Sequence, residues 1–426
     1  RPSGSLSPTE WTGQRFSVTS ARNQSFQAKA NRSVKIKSIK ATPVLIPLEA
    51  PYLWSYGALD GFTKCIVEVE TSDGVIGIGE APSHEAAPII SRFSDLLAGL
   101  DPLDIAGLER RVLPWMPVAH SVTDHATRGA WGGIEIALWD LRGKLWGQPV
   151  ANLLGGIHRR EIPFTDYFGY RLPQDGKGGE ATIAQVTDMC LSLQQAHGTT
   201  WFEGKVSDPD LHGNIRLMRA LREALGPDAM LRIDSNQAFS LPSALYLAPA
   251  FEEIGIRNWE DPTPDWRAMK KLRAHTSIPF SGHNTDIAKA TAYGVPDAIV
   301  SDVAGLGGFS AMLRFVSACQ GAGIDFWCYS GGSGLETAAF LHACAAHPHI
   351  REPNQSLLRW QPFDVIAEGP FCPKNNHITL PEGPGLGVSL DRDRVDFAAR
   401  LLIERGLPNK YFDPAAPGIM RRMPLV

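Results

Sequence analysis

Short apolar runs alternate with helical stretches of similar length from about residue 160 onward, and this alternation limits the fold more than any other feature. In chain order the runs are IPFTDYF, TTWFEGKV, AMLRID, IRNWE, IPFSGH, AIVSD and IDFWCYS. Strands that alternate with helices predict parallel βα units. Seven or eight such units within residues 161–389 favour a closed α/β barrel over a doubly wound open sheet, because barrels of this kind need about 250 residues.

A different pattern precedes these units. Two β-branched runs, IKSIKATPVLIPL and KCIVEVETSDGVIGIGEAP, predict strands, and the SDG in the second predicts a hairpin turn. Residues 51–62 between them are rich in Trp, Tyr and Gly, which predicts a loop with more than a connecting role. The segment GGIEIALWDLRGKLWGQPVANLLGG then carries apolar residues at helical spacing before a Gly-Gly stop. We therefore predict an α+β capping domain over residues 35–160, completed by the C-terminal segment 390–426.

The first 34 residues, 1–34, differ from the rest in composition. They are rich in Ser, Arg, Asn and Gln, contain one acidic residue, and show no sustained apolar period. Such a segment cannot bury enough apolar surface to offset the loss of chain entropy. We predict a disordered N-terminal extension.

The composition excludes several classes of function. The chain has 41 Lys and Arg against 45 Asp and Glu without long blocks of either sign, so no nucleic-acid or membrane-surface partner is expected. No stretch reaches the roughly 20 apolar residues of a membrane span. The six cysteines lie far apart without a CxxC pair, which predicts reduced thiols and a cytoplasmic protein. A small molecule is the expected partner.

Polar side chains gather where the predicted barrel strands end. An α/β barrel builds its active site at this C-terminal face, so the joint placement predicts a catalytic site, although any single residue could instead cap a helix. The strand-end residues are Asp166, Tyr167, Glu203, Lys205, Asp234, Asn236, Glu260, His283, Asn284, Asp302, Tyr329 and Ser330.

Three of these residues predict a metal site. Asp234 and Glu260 end two successive strands, and Asn284 follows the next strand with His283 beside it. Neighbouring strand ends meet at one edge of the barrel, and a hard cation such as Mg²⁺ prefers carboxylate and amide oxygens. Asp234, Glu260 and Asn284 are therefore the expected ligands, with His283 as the alternative to Asn284.

The motifs RIDSNQ, NWEDPTP and SDVAGLGG, together with GIEIALWDLRGKLWGQPVANLLGG and PEGPGLGVSLD, resemble the enolase superfamily in its mandelate racemase/muconate lactonizing enzyme branch. The resemblance covers roughly residues 35–400. It implies a modified TIM barrel, (β/α)7β, with an α+β capping domain, Mg²⁺ at three consecutive strand ends, and abstraction of a proton α to a carboxylate. An Asn as third ligand is similar to the glucarate dehydratase group, which implies a sugar-acid dehydratase.

Lys205 is the candidate base in this chemistry. The resemblance implies a second lysine two residues earlier, but Glu203 stands there. A carboxylate on the same strand face would raise the pKa of Lys205, whereas a base needs a lowered pKa. Glu203 could bind substrate, exchange a proton, or form an ion pair that disables Lys205.

The opposite side of the site also departs from the family pattern. Asp302 matches the aspartate that usually partners a histidine at the seventh strand end, but that histidine is missing. Tyr329 is the candidate replacement acid. Racemisation needs groups on both faces of the carbanion, whereas syn elimination can use one, so the sequence favours a dehydratase. A racemase, epimerase or cycloisomerase using Tyr329 and a member without turnover stay open.

Other residues are candidate substrate contacts. Arg171 could hold a distal carboxylate in a bidentate manner. The expected contacts are Trp54, Tyr56, Tyr167, Tyr170, Arg171, Glu203, Asn236, His283 and Ser330. The family resemblance further implies a homo-oligomer, either a dimer or an octamer.

Overall fold

The computed structural model describes residues 34–113, 125–329, 331–355, 357–408 and 419–426. The predicted N-terminal extension lies outside these ranges except for its last residue. Ser330, an expected substrate contact, also lies outside them.

The N-terminal part is an antiparallel sheet covered by helices. Its three strands pair in the order β1 (Ile36–Trp54), β2 (Gly57–Thr71) and β3 (Ile76–Ala81). Four helices follow: α1 (Ala86–Leu97), α2 (Ile105–Val112), α3 (His125–Trp146) and α4 (Val150–Leu153). Helix α3 approaches β3 so closely that a Cβ at Gly79 would lie 2.3 Å from the Gly133 carbonyl oxygen. Glycines in the strand therefore allow the helix to pack against the sheet.

The Trp- and Tyr-rich stretch 51–62 is a hairpin, not the loop that we expected. Tyr52 pairs with Leu59 and Trp54 with Gly57, after a register shift between Pro47 and Tyr52. In an extended strand, side chains two residues apart point to the same face. The aromatic side chains of Tyr52 and Trp54 therefore share the face that covers the end of the barrel.

A seven-stranded parallel sheet follows in the order β11-β10-β9-β8-β7-β6-β5, each strand beside the next one in sequence. The strands are β5 (Asp166–Phe168), β6 (Trp201–Lys205), β7 (Met230–Asp234), β8 (Asn258–Glu260), β9 (Phe280–Gly282), β10 (Ala298–Ser301) and β11 (Asp325–Cys328). The helices after them are α5 (Ile183–His197), α6 (Leu211–Leu225), α7 (Leu241–Ile254), α8 (Trp266–Arg273), α9 (Ile287–Tyr293), α10 (Phe309–Ala322) and α11 (Gly334–Ala346). Thr182 begins α5 with a capping box, and Gly198 ends it at φ 67°.

The sheet closes through a short eighth segment at Asn354 and Gln355. The Gln355 N–H donates to the Cys328 carbonyl at 2.9 Å, next to β11. On the other side, the Thr165 N–H donates to the Asn354 carbonyl at 2.9 Å, next to β5. The predicted α/β fold, a (β/α)7β barrel with an α+β cap, is therefore confirmed.

The remaining elements lie around the barrel. Strand β4 (Glu161–Pro163) pairs antiparallel with β12 (His377–Thr379), and a 3-10 turn spans Leu358–Trp360. Helix α12 (Arg392–Arg405) contacts β1 of the cap. The domain limits at residues 160 and 389 stay a prediction. Within the described ranges, no helix has the length and apolar character needed to cross a membrane.

Candidate active site

A cavity of about 580 Å³ lies at the C-terminal ends of the barrel strands, beneath the aromatic hairpin of the cap. This is the face on which α/β barrels carry their chemistry. Nine of the expected site residues line the cavity: Trp54, Tyr56, Tyr167, Lys205, Asp234, Asn236, His283, Asp302 and Tyr329.

A pair of buried carboxylates forms the centre of the site. Asp234 ends β7 and Glu260 ends β8, and the two residues are direct partners in the parallel register. Asn236 holds Asp234 in place, because its backbone N–H donates to Oδ1 at 2.7 Å and its side-chain amide donates to Oδ2 at 2.9 Å. Burial raises the pKa of Asp234, and the nearby Lys205 ammonium opposes this rise. The site thus holds two carboxylates on adjacent strands.

His283, and not Asn284, lies against this pair. The His283 Nε2 atom is 3.0 Å from Glu260 Oε1. The Asn284 side chain is exposed, and its oxygen accepts a hydrogen bond from the Asp286 N–H at 3.0 Å. Because β9 ends at Gly282, the first residue after the strand faces the carboxylates, and the second belongs to the turn before α9. The structure therefore places His283, the alternative third ligand, beside the two carboxylates, and Asn284 one residue further along the turn.

The donor set at this edge fits a divalent cation. It contains Asp234, Glu260 and the His283 imidazole, and the buried Oδ1 of Asn236 has no hydrogen-bond partner in the described part of the chain. No three His, Cys, Asp or Glu side chains of the described residues already stand in a metal-holding arrangement. The reason is local, because Lys205 pairs with Asp234 and His283 pairs with Glu260. Coordination requires the Lys205 ammonium to leave Asp234 and the His283 imidazole to be neutral, so that a ring nitrogen can bind the cation.

Lys205 ends β6 and points into the cavity. Its ammonium forms a short ion pair with Asp234 and lies 5.9 Å from the ring centroids of both Trp54 and Tyr167. Burial lowers the pKa of Lys205, but Asp234, Tyr167, Tyr52 and Glu260 together outweigh burial, so this pKa is raised well above its ordinary value. In this arrangement Lys205 is an ammonium held by Asp234.

Glu203 is fully buried and is not among the residues that line the cavity. Gln355 donates hydrogen bonds to both Glu203 and Glu260. The ion-pair partner of Glu203 is Arg232 on the next strand, at 3.5 Å, and not Lys205. Burial raises the pKa of Glu203 to about 7, and Arg232 opposes that rise. The structure pairs Glu203 with Arg232 and not with Lys205, and its expected role as a substrate contact stays a prediction.

Arg171 and Tyr170 also stand away from the cavity lining. The Arg171 guanidinium pairs with Glu49 at 2.6 Å and Glu180 at 2.7 Å, and it stacks over Trp360. Tyr170 is half-buried and packs against the hydrophobic core. Since Arg171 is already paired with two carboxylates, it has a structural role and does not hold a distal carboxylate.

Sequence reasoning missed Arg128, which lines the cavity from α3. Among the residues that the structure describes, no carboxylate lies within ion-pair distance of its guanidinium. Its position in the first turn of α3 gave no signal, because only the packing of α3 against Gly307 brings it to the cavity. Arg128 is an available anchor for an anionic group.

The side of the cavity opposite Lys205 carries a second charged cluster. Tyr329 forms a hydrogen bond with Asp302, and its pKa is raised well above the ordinary value by burial and by Asp302. Lys64, on β2 of the cap, also lines the cavity and pairs with the buried Glu336 and Glu80. Lys64 and Glu80 were missed, although a charged residue within an otherwise apolar strand was a usable signal.

The comparisons with known proteins agree with this architecture. The model of the mandelate racemase / muconate lactonizing enzyme N-terminal domain matches residues 36–155, and the enolase C-terminal domain-like model matches residues 185–394. A probable glucarate dehydratase from Streptomyces coelicolor is 28% identical over 87% of this chain and 92% of its own length. A D-galactarolactone cycloisomerase from Agrobacterium fabrum is 26% identical over 85% of this chain and 98% of its own length.

Among solved structures, an enolase from Pseudomonas fluorescens with bound magnesium, potassium and tartrate superposes with a TM-score of 0.79. It is 25% identical, and the match covers 88% of this chain and 94% of that chain. Both halves of the chain thus match the same group of enzymes in sequence and in fold. The chain belongs to the mandelate racemase/muconate lactonizing enzyme branch of the enolase superfamily.

Proposed function

We propose that this protein is a Mg²⁺-dependent dehydratase of a hydroxylated carboxylic acid of the sugar-acid class.

 The observation that carries the proposal is the lysine at the end of β6, which faces a cavity beside the two carboxylates that end β7 and β8. The relatives include dehydratases of sugar acids, which supports the same class of substrate.

Asp234 and Glu260 are the residues that would hold the cation, and His283 is the third side chain at this edge. A divalent cation on the substrate carboxylate would stabilise the negative charge that develops when the α-proton leaves, by several kcal/mol. The similar enolase from Pseudomonas fluorescens contains magnesium, which supports this choice of ion. An imidazole ligand also suits Mn²⁺, so both ions belong in the tests.

The Nζ atom of Lys205 is the proposed acceptor of the proton α to the carboxylate. The rings of Trp54 and Tyr167 flank this atom and keep bulk water away from it. The partner that now holds the Lys205 ammonium is Asp234, which is also a proposed cation ligand. Glu203 does not pair with Lys205, because its ion-pair partner is the buried Arg232 at 3.5 Å.

The walls of the cavity indicate the shape of the substrate. Tyr52, Trp54, Tyr56 and Tyr167 form an aromatic wall, which suits the C–H faces of a hydroxylated carbon chain. The volume of about 580 Å³ falls within the usual range for small-molecule sites. Arg128 could bind a second anionic group at the far end. A diacid of about six carbons satisfies all three features.

A cycloisomerase or racemase is the second candidate, and two observations favour it. One similar relative is a D-galactarolactone cycloisomerase. Asp302 and Tyr329 also place polar groups on the side of the cavity opposite Lys205, so the absence of the usual histidine no longer argues against chemistry on both faces.

The experiment is incubation of the purified protein with Mg²⁺ and a library of aldonic and aldaric acids in deuterated water. NMR and a 2-keto acid assay then follow the product. A keto acid formed by the wild type and by Lys40→Met, but not by Lys205→Met, supports the dehydratase, because Lys40 is an exposed lysine of the cap sheet.

Two other outcomes contradict the proposal in different ways. Deuterium in recovered substrate or an isomer without keto acid supports the second candidate. No exchange and no product with any acid, under conditions where the cation binds, supports a member of the family without turnover.

A further inference from the structure

Lys64 is a buried lysine whose ammonium reaches the catalytic cavity from the cap. Lys64 is 7% exposed and lines the cavity. It belongs to β2, a strand in which most residues are buried. The Nζ atom lies 3.2 Å from both carboxylate oxygens of Glu336 and 3.8 Å from Glu80 Oε1. A buried charge of this kind costs free energy unless it is paired, so its position is fixed by two carboxylates.

The topology of the barrel places Lys64 across the cavity from Lys205. Lys205 ends β6, whereas Asp302 directly follows β10, four strands further along the sheet. The eighth segment closes the barrel, so the barrel has eight positions around its circumference. Two strands that are four positions apart therefore lie on opposite sides of the cavity. Lys64 lies on the Asp302 side, where Asp302 contributes to its electrostatic environment. A substrate held between the two lysines would present one face to each.

The cluster around Lys64 holds more carboxylates than cations. Glu336, Glu80 and Asp302 surround one ammonium. Burial raises the pKa of Glu336 to about 8, opposed by Lys64 and helped by Glu80 and Asp302. Burial also raises the pKa of Glu80, so the carboxyl groups beside Lys64 together favour retention of a proton.

The surrounding backbone is shaped to keep these carboxylates in contact with Lys64. A Cβ at Gly332 would lie 1.9 Å from a Glu336 oxygen and 2.4 Å from a Glu80 oxygen. The Ser333 N–H, at the start of α11, donates to both oxygens of Glu80 at 3.3 Å. Glu336 and Glu80 are thus held on one side of Lys64, while the other side of Lys64 faces the cavity.

Two other roles for the cluster fit the structure less well. An anchor for a substrate carboxylate needs an excess of positive charge, but the carboxylates here outnumber the lysine. Tyr329 is a less suitable proton donor, because its hydroxyl is already held in a hydrogen bond with Asp302. A protonated lysine backed by a protonated carboxylic acid is better suited to donate a proton.

We propose that Lys64 is the general acid opposite Lys205 and that Glu336 resupplies its proton. This inference rests on the proposed dehydratase function. The neutral amine of Lys205 takes the α-proton, the bond between the β-carbon and its hydroxyl oxygen breaks, and Lys64 Nζ protonates that oxygen so that water leaves. The enol product gains a proton at the β-carbon and loses its hydroxyl proton, which gives the 2-keto acid. Lys205 releases the α-proton to solvent, Glu336 returns a proton to Lys64, and solvent restores the proton of Glu336.

Lys64→Arg is the first test, because arginine keeps the charge and the carboxylate pairs but does not release a proton in proteins. We expect product formation to fall about 100-fold or more, the usual contribution of general acid catalysis. Exchange of the α-proton with deuterated water should persist, since Lys205 is intact. Lys40→Arg is the matched control, and its product formation should equal that of the wild type.

The double variant Lys64→Met/Glu336→Gln separates catalysis from folding. It removes the ammonium together with the carboxyl group that contacts it at 3.2 Å, so neither partner of this pair is left buried alone. A folded double variant that exchanges the α-proton but forms no product supports the acid role. Recovery of wild-type product formation in this variant would show that Lys64 only neutralises Glu336, and would overturn the inference.

The outcomes also distinguish this inference from the proposed function. If the wild type forms keto acid and Lys64→Arg forms it equally fast, only the inference fails. If the wild type neither exchanges the α-proton nor forms product from any acid, the proposed function fails and the inference fails with it.

Discussion

Glu203→Lys should unfold this protein, although it restores the lysine that the family resemblance led us to expect. Glu203 is fully buried, and its oxygen lies 3.5 Å from a terminal nitrogen of Arg232. A lysine at position 203 would place a second cation against that guanidinium in the barrel interior. The substitution therefore tests whether Arg232 explains the presence of Glu203.

The magnitude follows from the distance. At 3.5 Å and an effective dielectric constant of about 20, two unit charges interact by about 5 kcal/mol. Replacing attraction by repulsion would double this value. Two features reduce it, because Glu203 has a pKa of about 7 and is only partly ionised at neutral pH, and because Arg232 also pairs with Glu352 at 3.2 Å. We expect a loss of about 5 kcal/mol, comparable to the whole stability of many domains.

Urea unfolding followed by tryptophan fluorescence measures the effect. Glu203→Lys/Arg232→Leu removes the repulsion and should recover most of the lost free energy of unfolding. Glu70→Lys is the control, because it reverses one charge of an exposed pair with Lys37 and should change stability far less. A Glu203→Lys protein whose free energy of unfolding stays within about 1 kcal/mol of the wild type would refute the argument.

Three further predictions concern the cation, the substrate and pH. Mg²⁺ and Mn²⁺ should each raise the melting temperature of the wild type but not of Asp234→Asn, with about 2.7 kcal/mol of stabilisation at a concentration of 100 Kd; equal shifts in both proteins would contradict the assigned ligand. Arg128→Met should raise KM for diacids by about tenfold or more and leave KM for monoacids nearly unchanged, because it removes a charged partner for the second carboxylate. Burial lowers the pKa of His342 to about 4, so the neutral form stabilises the fold above the unfolded pKa of about 6.5, and about 3 kcal/mol should be lost as the pH falls from 6.5 to 4. His342→Asn should flatten this part of the pH profile of unfolding if its amide oxygen accepts the Ala151 N–H in place of Nδ1, whereas an unchanged slope would assign the pH dependence to other groups.

The strands and the face of the site could be predicted because they depend on local periodicity. Apolar runs of four to seven residues fix where strands lie, and polar residues at their ends face the same edge once the sheet is parallel. Lys205, Asp234 and Glu260 meet for this reason. The choice between His283 and Asn284 is different, because one residue of register at the end of β9 decides which side chain faces inward.

The contacts that sequence reasoning missed join residues far apart in the chain. We expected Arg171 to contact the substrate, but its guanidinium forms ion pairs with Glu49 and Glu180. Glu49 lies near Arg171 only because of the path that β1 takes through the fold. Lys64 is separated by 272 residues from Glu336, its partner at 3.2 Å. No local pattern in the sequence records such a pair.

The sequence departs from the family pattern at two positions: Glu203 replaces a lysine, and the histidine at the seventh strand end is missing. Considered one at a time, these departures suggested a site without catalytic activity. In the structure each departure has a neighbour that offsets it. Glu203 is paired with Arg232, so Asp234 and not Glu203 keeps the Lys205 ammonium in place, and a cation bound at Asp234 would weaken that hold. The missing histidine leaves a side of the cavity that Lys64 reaches from the cap. The replaced lysine and the missing histidine therefore do not by themselves argue for a protein without turnover, because a charged group is present at both places where the chemistry requires one.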